Sequence, residues 1–400
     1  MPRDNRWSGA LFWGGTALCA YAYFGYPLIV SLLARGKAKP RFAPPEAWPE
    51  ITLLIAAYNE EAYIARKIEN SLALDYPRER LQVLVVTDGS DDDTPLIARR
   101  YADQGVQVLH QPKRQGKMAA INRAMPFVRG DIVVFSDANN LYAPDALRFL
   151  IAPFTDRRVG AVSGAKTVLD EDDPLGASEG LYWKYESFIK EQENRLGTCT
   201  GVAGEILALR RRLFVPAPPG TINDDFYLMM QVLRQGYNVV YAPQARSMEH
   251  ISASAQDEAE RRARIVAGRY QAMAQAPHTM PWKRPLVAWQ VISHKFTRPL
   301  VPFGMLAALA GSVGAVLRPP RKGGLWRLQP PWNIGSALLQ GVFYLAALSG
   351  KYLQIPGKIG KALYLPVFLL DSNLAALTGL WRYLRGAQNA AWQRVRRRSI

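Results

Sequence analysis

The stretch Asp131-Ile132-Val133-Val134-Phe135-Ser136-Asp137-Ala138-Asn139 decides how the chain is read. The β-branched and aromatic residues from Ile132 to Phe135 favour a strand. The run stops on two oxygen-bearing side chains, Asp137 and Asn139, one residue apart. Open α/β sheets bind their ligands at the carboxyl ends of the strands. Hard oxygen ligands placed there suit Mg²⁺ or Mn²⁺, which take one or two protein ligands and complete their shells with substrate phosphates and water. Asp-x-Asn alone also makes an ordinary turn or helix cap, so the weight rests on its surroundings.

Toward the N-terminus, strand-like and helix-like segments alternate. Ile51–Ala56 precedes a helix from Glu60 to Leu72. Leu81–Val86 precedes a helix from Thr94 to Tyr101. Val106–Leu109 precedes a helix over Lys117–Met125. This order predicts an α/β domain with a mostly parallel sheet and helices on both faces. Each strand end is polar: Tyr58-Asn59-Glu60-Glu61, Thr87-Asp88-Gly89-Ser90-Asp91-Asp92 and Lys113-Arg114-Gln115-Gly116-Lys117. Taken singly, Asp88-Gly89 is a common turn, Asn59-Glu60 a helix start and Lys117 a solvated first-turn residue. Together, on one sheet edge, an aromatic ring, a carboxylate for a ribose, cations beside a glycine turn and a metal site suit one nucleotide.

Toward the C-terminus, Thr198-Cys199-Thr200-Gly201-Val202-Ala203-Gly204-Glu205 is a loop of mostly small residues, read either as a plain turn or as room for an acceptor. Asn223-Asp224-Asp225-Phe226 opens a helix to Arg234, with Gly236 as its cap. The helix dipole favours two acids in a first turn. The functional reading makes one of them a general base for a hydroxyl. Glu258–Gln271 is an amphipathic helix carrying Arg261, Arg262, Arg264 and Arg269. One such Arg turned toward a pyrophosphate would bind it bidentately. His250, after the strand Val239–Ala242, reads as a turn residue.

Charge is unevenly spread over the 400 residues. From Lys283 onward there are 17 Lys and Arg against one acid, Asp371, whereas the preceding 282 residues carry 33 basic and 32 acidic side chains. That asymmetry argues against a nucleic-acid-binding surface. It suits a chain lying against anionic lipid. Ala10–Ala34 lacks charge and exceeds the roughly 20 apolar residues a membrane span needs. It reads as a retained anchor. Arg35, Lys37, Lys39 and Arg41 place the next segment in the cytoplasm. Further apolar stretches are Pro299–Leu317, Trp332–Gly350 and Ala362–Leu380, with Leu286–Phe296 interfacial. Three spans after the anchor would put the basic residues Arg394–Arg398 outside, against the positive-inside rule, so two to three spans are expected. Cys19 and Cys199 form neither a disulfide framework nor a metal-ligand spacing, which fits a reducing compartment. The expected organisation is an anchor (1–35), a linker (36–50), a catalytic domain (51–277), an interfacial helix (278–298), a membrane region (299–385) and a basic tail (386–400).

These motifs, in this order, resemble those of a membrane-bound, inverting family 2 glycosyltransferase of the GT-A fold, near the bacterial cellulose, hyaluronan and poly-N-acetylglucosamine synthases. The resemblance covers Ile51 to about Gln271. It implies transfer from a UDP-sugar to a polysaccharide or lipid-linked acceptor at the cytoplasmic face of a bacterial inner membrane, in a multi-pass protein working beside other proteins of polysaccharide assembly. By resemblance, Tyr58 and Glu60 hold the uracil, Asp88 the base and ribose, and Lys117 the phosphates. Asp137 and Asn139 stand at the family's Asp-x-Asp and would hold Mg²⁺ or Mn²⁺, with His250 as a further candidate ligand. Asp225 is the base with Asp224 beside it, and Arg264 matches the Arg of the Gln-x-x-Arg-Trp motif. Asn139 replaces a carboxylate, and Arg261 and Ile265 replace Gln and Trp. Loss of that Trp predicts few transfers per acceptor rather than a long polymer. The competing readings are a non-catalytic membrane scaffold, which the presence of Asp225 and Asp137 disfavours, and a nucleotidyltransferase, whose phosphate loop Ala57-Tyr58-Asn59-Glu60 does not resemble.

Overall fold

The computed structural model describes residues 5, 7–169, 174–252, 254–353 and 357–387. They fall into two compact units. One contains Val30–Glu258 and Gln271–Gln290, the other Met1–Ile29, Ala259–Tyr270 and Val291–Leu384. The basic residues Arg394–Arg398 lie outside the described residues.

The first unit is built on a sheet of eight described strands: β1 (Ile51–Ala57), β2 (Leu81–Asp88), β3 (Val106–Gln111), β4 (Ile132–Asp137), β5 (Leu141–Tyr142), β6 (Val159–Val168), β7 (Leu207–Arg210) and β8 (Asn238–Glu249). Their order is β3-β2-β1-β4-β7-β6-β8-β5. The first four are mutually parallel. β7 runs antiparallel to both β4 and β6, β8 runs parallel to β6, and β5 closes the edge antiparallel to β8. The expected parallel sheet therefore occupies one half and becomes mixed in the other. Between β6 and β7 the chain returns to the sheet at the edge it left, without the crossover that enforces parallel pairing.

Every residue of β1 is buried, as expected for a parallel strand covered on both faces. Ile51, Leu53 and Ile55 pack in one core with Val83, Val85, Ile64 and Ile68. After β1 the chain lays β2 and β3 to one side and then returns to place β4 on the other. The switch point lies between β1 and β4, where the crevice of an open α/β sheet forms. Tyr58 follows β1 and Asp137 ends β4, so both stand at that crevice.

The second unit is helical. Trp7–Ala20 packs on Val301–Leu317 through small residues. A Cβ on Gly15 would stand 2.2 Å from the Gly304 carbonyl oxygen, and one on Gly311 2.5 Å from that of Ser8. Such backbone contact is how helices associate where apolar surroundings remove the hydrophobic driving force. Among the described residues, Trp7–Ala34 and Pro285–Leu317 are long and apolar enough to cross a membrane. The second of these includes the stretch Leu286–Phe296. The helices Trp332–Tyr352 and Gly357–Leu384 complete the unit.

Candidate active site

At the end of β2, Asp88 is buried. Its Oδ2 accepts the backbone N–H groups of Gln115 (2.8 Å) and Gly116 (2.6 Å), and its Oδ1 lies 3.4 Å from Arg123. One carboxylate thus ties the β2 end to the loop that starts the helix Lys117–Ala124. Gly89 permits the approach: its φ is +68°, and a Cβ there would stand 2.5 Å from Arg114 Cβ. The same loop lays the Arg114 guanidinium 3.8 Å from the centre of the Tyr58 ring. Arg114 Nε and one terminal nitrogen are buried without a hydrogen-bond partner among the described residues. In the sequence Arg114 is one of several basic neighbours with no role of its own; only the fold aims it at Tyr58.

Lys117 opens its helix behind Gly116 and lies at the centre of the site. Its Nζ is 2.7 Å from Asp137 Oδ1 and 3.0 Å from Asp224 Oδ2. Burial disfavours its charge, but the flanking carboxylates of Asp137 and Asp224 more than offset this, so the ammonium is held above its ordinary range. This bridge joins β4 to the helix Asp224–Arg234, although Asp137 and Asp224 are 87 positions apart. Asn139 Oδ1 is buried without a hydrogen-bond partner among the described residues. The carboxylates of Asp137 and Asp224 at Lys117, and the buried amide oxygen of Asn139 two residues after Asp137, are hard oxygen donors of the kind a divalent ion takes. Among the described residues no three His, Cys, Asp or Glu side chains gather as a ready-made metal cage. A site of one or two protein ligands shared with phosphates does not require one.

Asp225 lies in the same first turn as Asp224, and its Oδ1 accepts the N–H of Phe226 at 2.7 Å. Gly204 makes room for it: a Cβ there would stand 3.0 Å from Asp225 Cβ and 3.6 Å from Oδ2. The small-residue loop is therefore packed against the expected base. Behind the site, Lys67 is fully buried on the helix Ile64–Leu72, 4.1 Å from the centre of the Tyr142 ring and 3.5 Å from Asn140 Oδ1. Burial pulls its ammonium down to about 7, against the attraction of Asp137 and Glu205.

The remaining expected residues are placed less directly. Glu60 is buried at the turn after β1, where its N–H donates to Thr94 Oγ1 (2.7 Å) and its carbonyl accepts the N–H groups of Tyr63 and Ile64. His250 follows β8 and is half-buried. Arg264 lies on the helix Ala255–Thr279, in the part assigned to the helical unit.

Residues 52–215 match the family described as glycosyl transferase family 2. The chain is 30% identical over 239 residues to a β-monoglucosyldiacylglycerol synthase of Trichormus variabilis, covering 56% of this chain and 51% of that protein. It is 26% identical over 201 residues to a poly-β-1,6-N-acetyl-D-glucosamine synthase of Staphylococcus aureus, covering 49% and 48%. The chain thus spans about half the length of the curated relatives it matches. Its fold is similar to that of a mannosyltransferase from Pyrobaculum calidifontis solved with GDP-mannose and Mn²⁺, with a TM-score of 0.70, 24% identity, and coverage of 94% of this chain and 99% of that one. The matched residues run from β1 through β7: over 52–215 the chain carries a glycosyl transferase family 2 domain.

Proposed function

We propose that the chain is a metal-assisted, inverting glycosyltransferase. It moves a sugar from a nucleoside-diphosphate donor, read as UDP-linked, to a lipid or polysaccharide acceptor at a membrane face. The observation that supports this reading is the Lys117 bridge, which brings Asp137 at the end of β4 to Asp224, the neighbour of Asp225 in the first turn of its helix.

Tyr58 and Arg114 offer a stacked pair for the base, with the guanidinium's orphaned donors directed at its carbonyl oxygens. Lys117 and the start of its helix receive the diphosphate, since a helix N-terminus favours anions. Asp137 and Asn139 would hold the divalent ion, which supplies positive charge to the leaving diphosphate when bound. Asp225 takes the proton of the acceptor hydroxyl, whose oxygen attacks the anomeric carbon from the side opposite the diphosphate. An α-linked donor then yields a β-linked product. Arg264 is assigned to the diphosphate and His250 to the metal by resemblance alone.

Membrane residence is supported by the two long apolar helices and by the exposed Leu338, Leu339, Val342 and Leu345 on Trp332–Tyr352. So large an apolar face marks a lipid or partner contact. A multi-pass arrangement and few transfers per acceptor are inferred from the sequence. Detergent-purified protein given radiolabelled UDP-glucose, UDP-N-acetylglucosamine and GDP-mannose, with membrane lipid extract, is expected to label lipid or oligosaccharide from one donor. Asp225→Asn should lower that turnover by about 10²–10⁴ while binding nucleoside diphosphate normally. Transfer at the normal rate by Asp225→Asn would refute the base assignment, and no transfer from any donor would refute the reading as a whole.

A further inference from the structure

Side chains with orphaned polar atoms lie along the sheet edge in an order. Arg114 lies over Tyr58, beyond β1. Asn139 lies beyond β4, beside Asp137. The next strand in the sheet is β7, and just before it stands Glu205, whose Oε1 is buried without a hydrogen-bond partner among the described residues. The antiparallel register pairs Phe135 with Leu207. Before Leu207 the chain leaves the ladder in a single 3-10 turn, Gly204–Ile206, and there the amide of Asn140, three residues after Asp137, donates to the Glu205 main-chain carbonyl at 3.2 Å. On its other side, Gly204 packs against Asp225.

Glu205 is held firmly. Its carbonyl accepts the Tyr142 hydroxyl at 2.8 Å and the Asn140 amide at 3.2 Å. Burial holds its carboxyl above the ordinary range, and Lys166, which opposes that, is itself ion-paired with Glu249. A buried carboxylate oxygen with no donor among the described residues costs stability, and such a group in a folded chain calls for an explanation. In the glycosyl-transfer reading, on which this inference rests, the diphosphate lies at Asp137 and the base at Asp225. The reacting anomeric carbon lies between them, so the sugar being transferred passes beside Glu205. A sugar presents hydroxyl donors, which a carboxylate accepts in charge-assisted hydrogen bonds.

We propose that Glu205 recognises the donor sugar: its carboxylate accepts hydrogen bonds from hydroxyl groups of the sugar being transferred and so sets donor specificity. The test compares wild type with Glu205→Gln, which keeps size and removes charge. The probes are UDP-glucose, its deoxyfluoro analogues at each ring position, GDP-mannose, and bare UDP and GDP. Fluorine cannot donate, so an analogue lacking the recognised hydroxyl should lose about 10–100-fold in kcat/KM with wild type. The same analogue should lose little with Glu205→Gln, and affinity for the bare nucleotide should be unchanged. Equal losses for every analogue in both proteins, or weakened UDP and GDP binding, would overturn the proposal. Should wild type transfer from no donor, the function proposed above fails. Calorimetry then still reads Glu205: a difference in affinity between UDP-glucose and UDP that narrows in the variant supports the role, and an unchanged difference overturns it. Glu205→Asp, which keeps the charge but withdraws it by one methylene, replaces Glu205→Gln in the same comparison should the amide misfold.

Discussion

Lys117 does at the residue scale what its sequence position does not suggest. A first-turn lysine is ordinarily solvated, yet here it neutralises two carboxylates from distant segments. Asn139 beside them contributes oxygen without charge. Adding a charge by Asn139→Asp should tighten divalent-ion binding, measured as a lower Mn²⁺ concentration for half-maximal activity after chelation. Chelator should abolish transfer in both proteins, and Mg²⁺ or Mn²⁺ should restore it. Full activity in chelator would remove the metal from the reading. Lys67 offers a second residue-scale test. Its ammonium is pulled from 10.5 to about 7 in the folded chain. Between those values the unfolded chain binds the proton and the folded chain does not, so this group's contribution makes stability rise with pH through that window. Below about pH 7 both states are charged and the burial cost is felt in full. Lys67→Met should stabilise the protein most at pH 6 and progressively less toward pH 10, read as the difference in thermal midpoint. A pH-independent difference would count against a depressed ammonium.

At the scale of elements, the loop from Lys113 to Lys117 is shaped from outside itself. Asp88 holds it by two N–H groups, and Gly89 leaves it space. Gly89→Ala would place a Cβ on a backbone at φ +68°, against Arg114. That should cost about 1–3 kcal/mol of stability and weaken nucleotide binding, because Arg114 would leave Tyr58. Denaturant unfolding and UDP titration check the two effects. An alanine variant with unchanged UDP affinity would show that the Arg114–Tyr58 stack is not part of the nucleotide site. The strand ends of β1, β2 and β4 were legible in sequence because polar residues interrupt apolar runs abruptly there. β6 and β7 were not, because Val159–Val168 and Leu207–Arg210 carry small and charged residues that blur the pattern.

For the molecule as a whole, the apolar helices and the excess of positive charge after Lys283 point to the same setting. The protein should stay with membranes through washes in high salt and carbonate and be released by detergent, followed by blotting of pellet and supernatant. Release by salt alone would reduce the association to a peripheral, electrostatic one.

Local chemistry set what the sequence determined by itself. Apolar runs of strand length, glycine turns and paired acids declared an α/β domain and marked Tyr58, Asp88, Lys117, Asp137 and Asp225 as candidates, because each signal lies within a few adjacent positions. Tertiary structure decided what depends on distant segments meeting. It placed β4 beside β1 at the switch crevice, turned β7 antiparallel, stacked Arg114 on Tyr58, and closed Lys117 between Asp137 and Asp224. Glu205 shows the division most plainly. In sequence it is one carboxylate at the end of a small-residue loop. Only the fold brings it next to Asn140, through its main-chain carbonyl, and lays its neighbour Gly204 against Asp225.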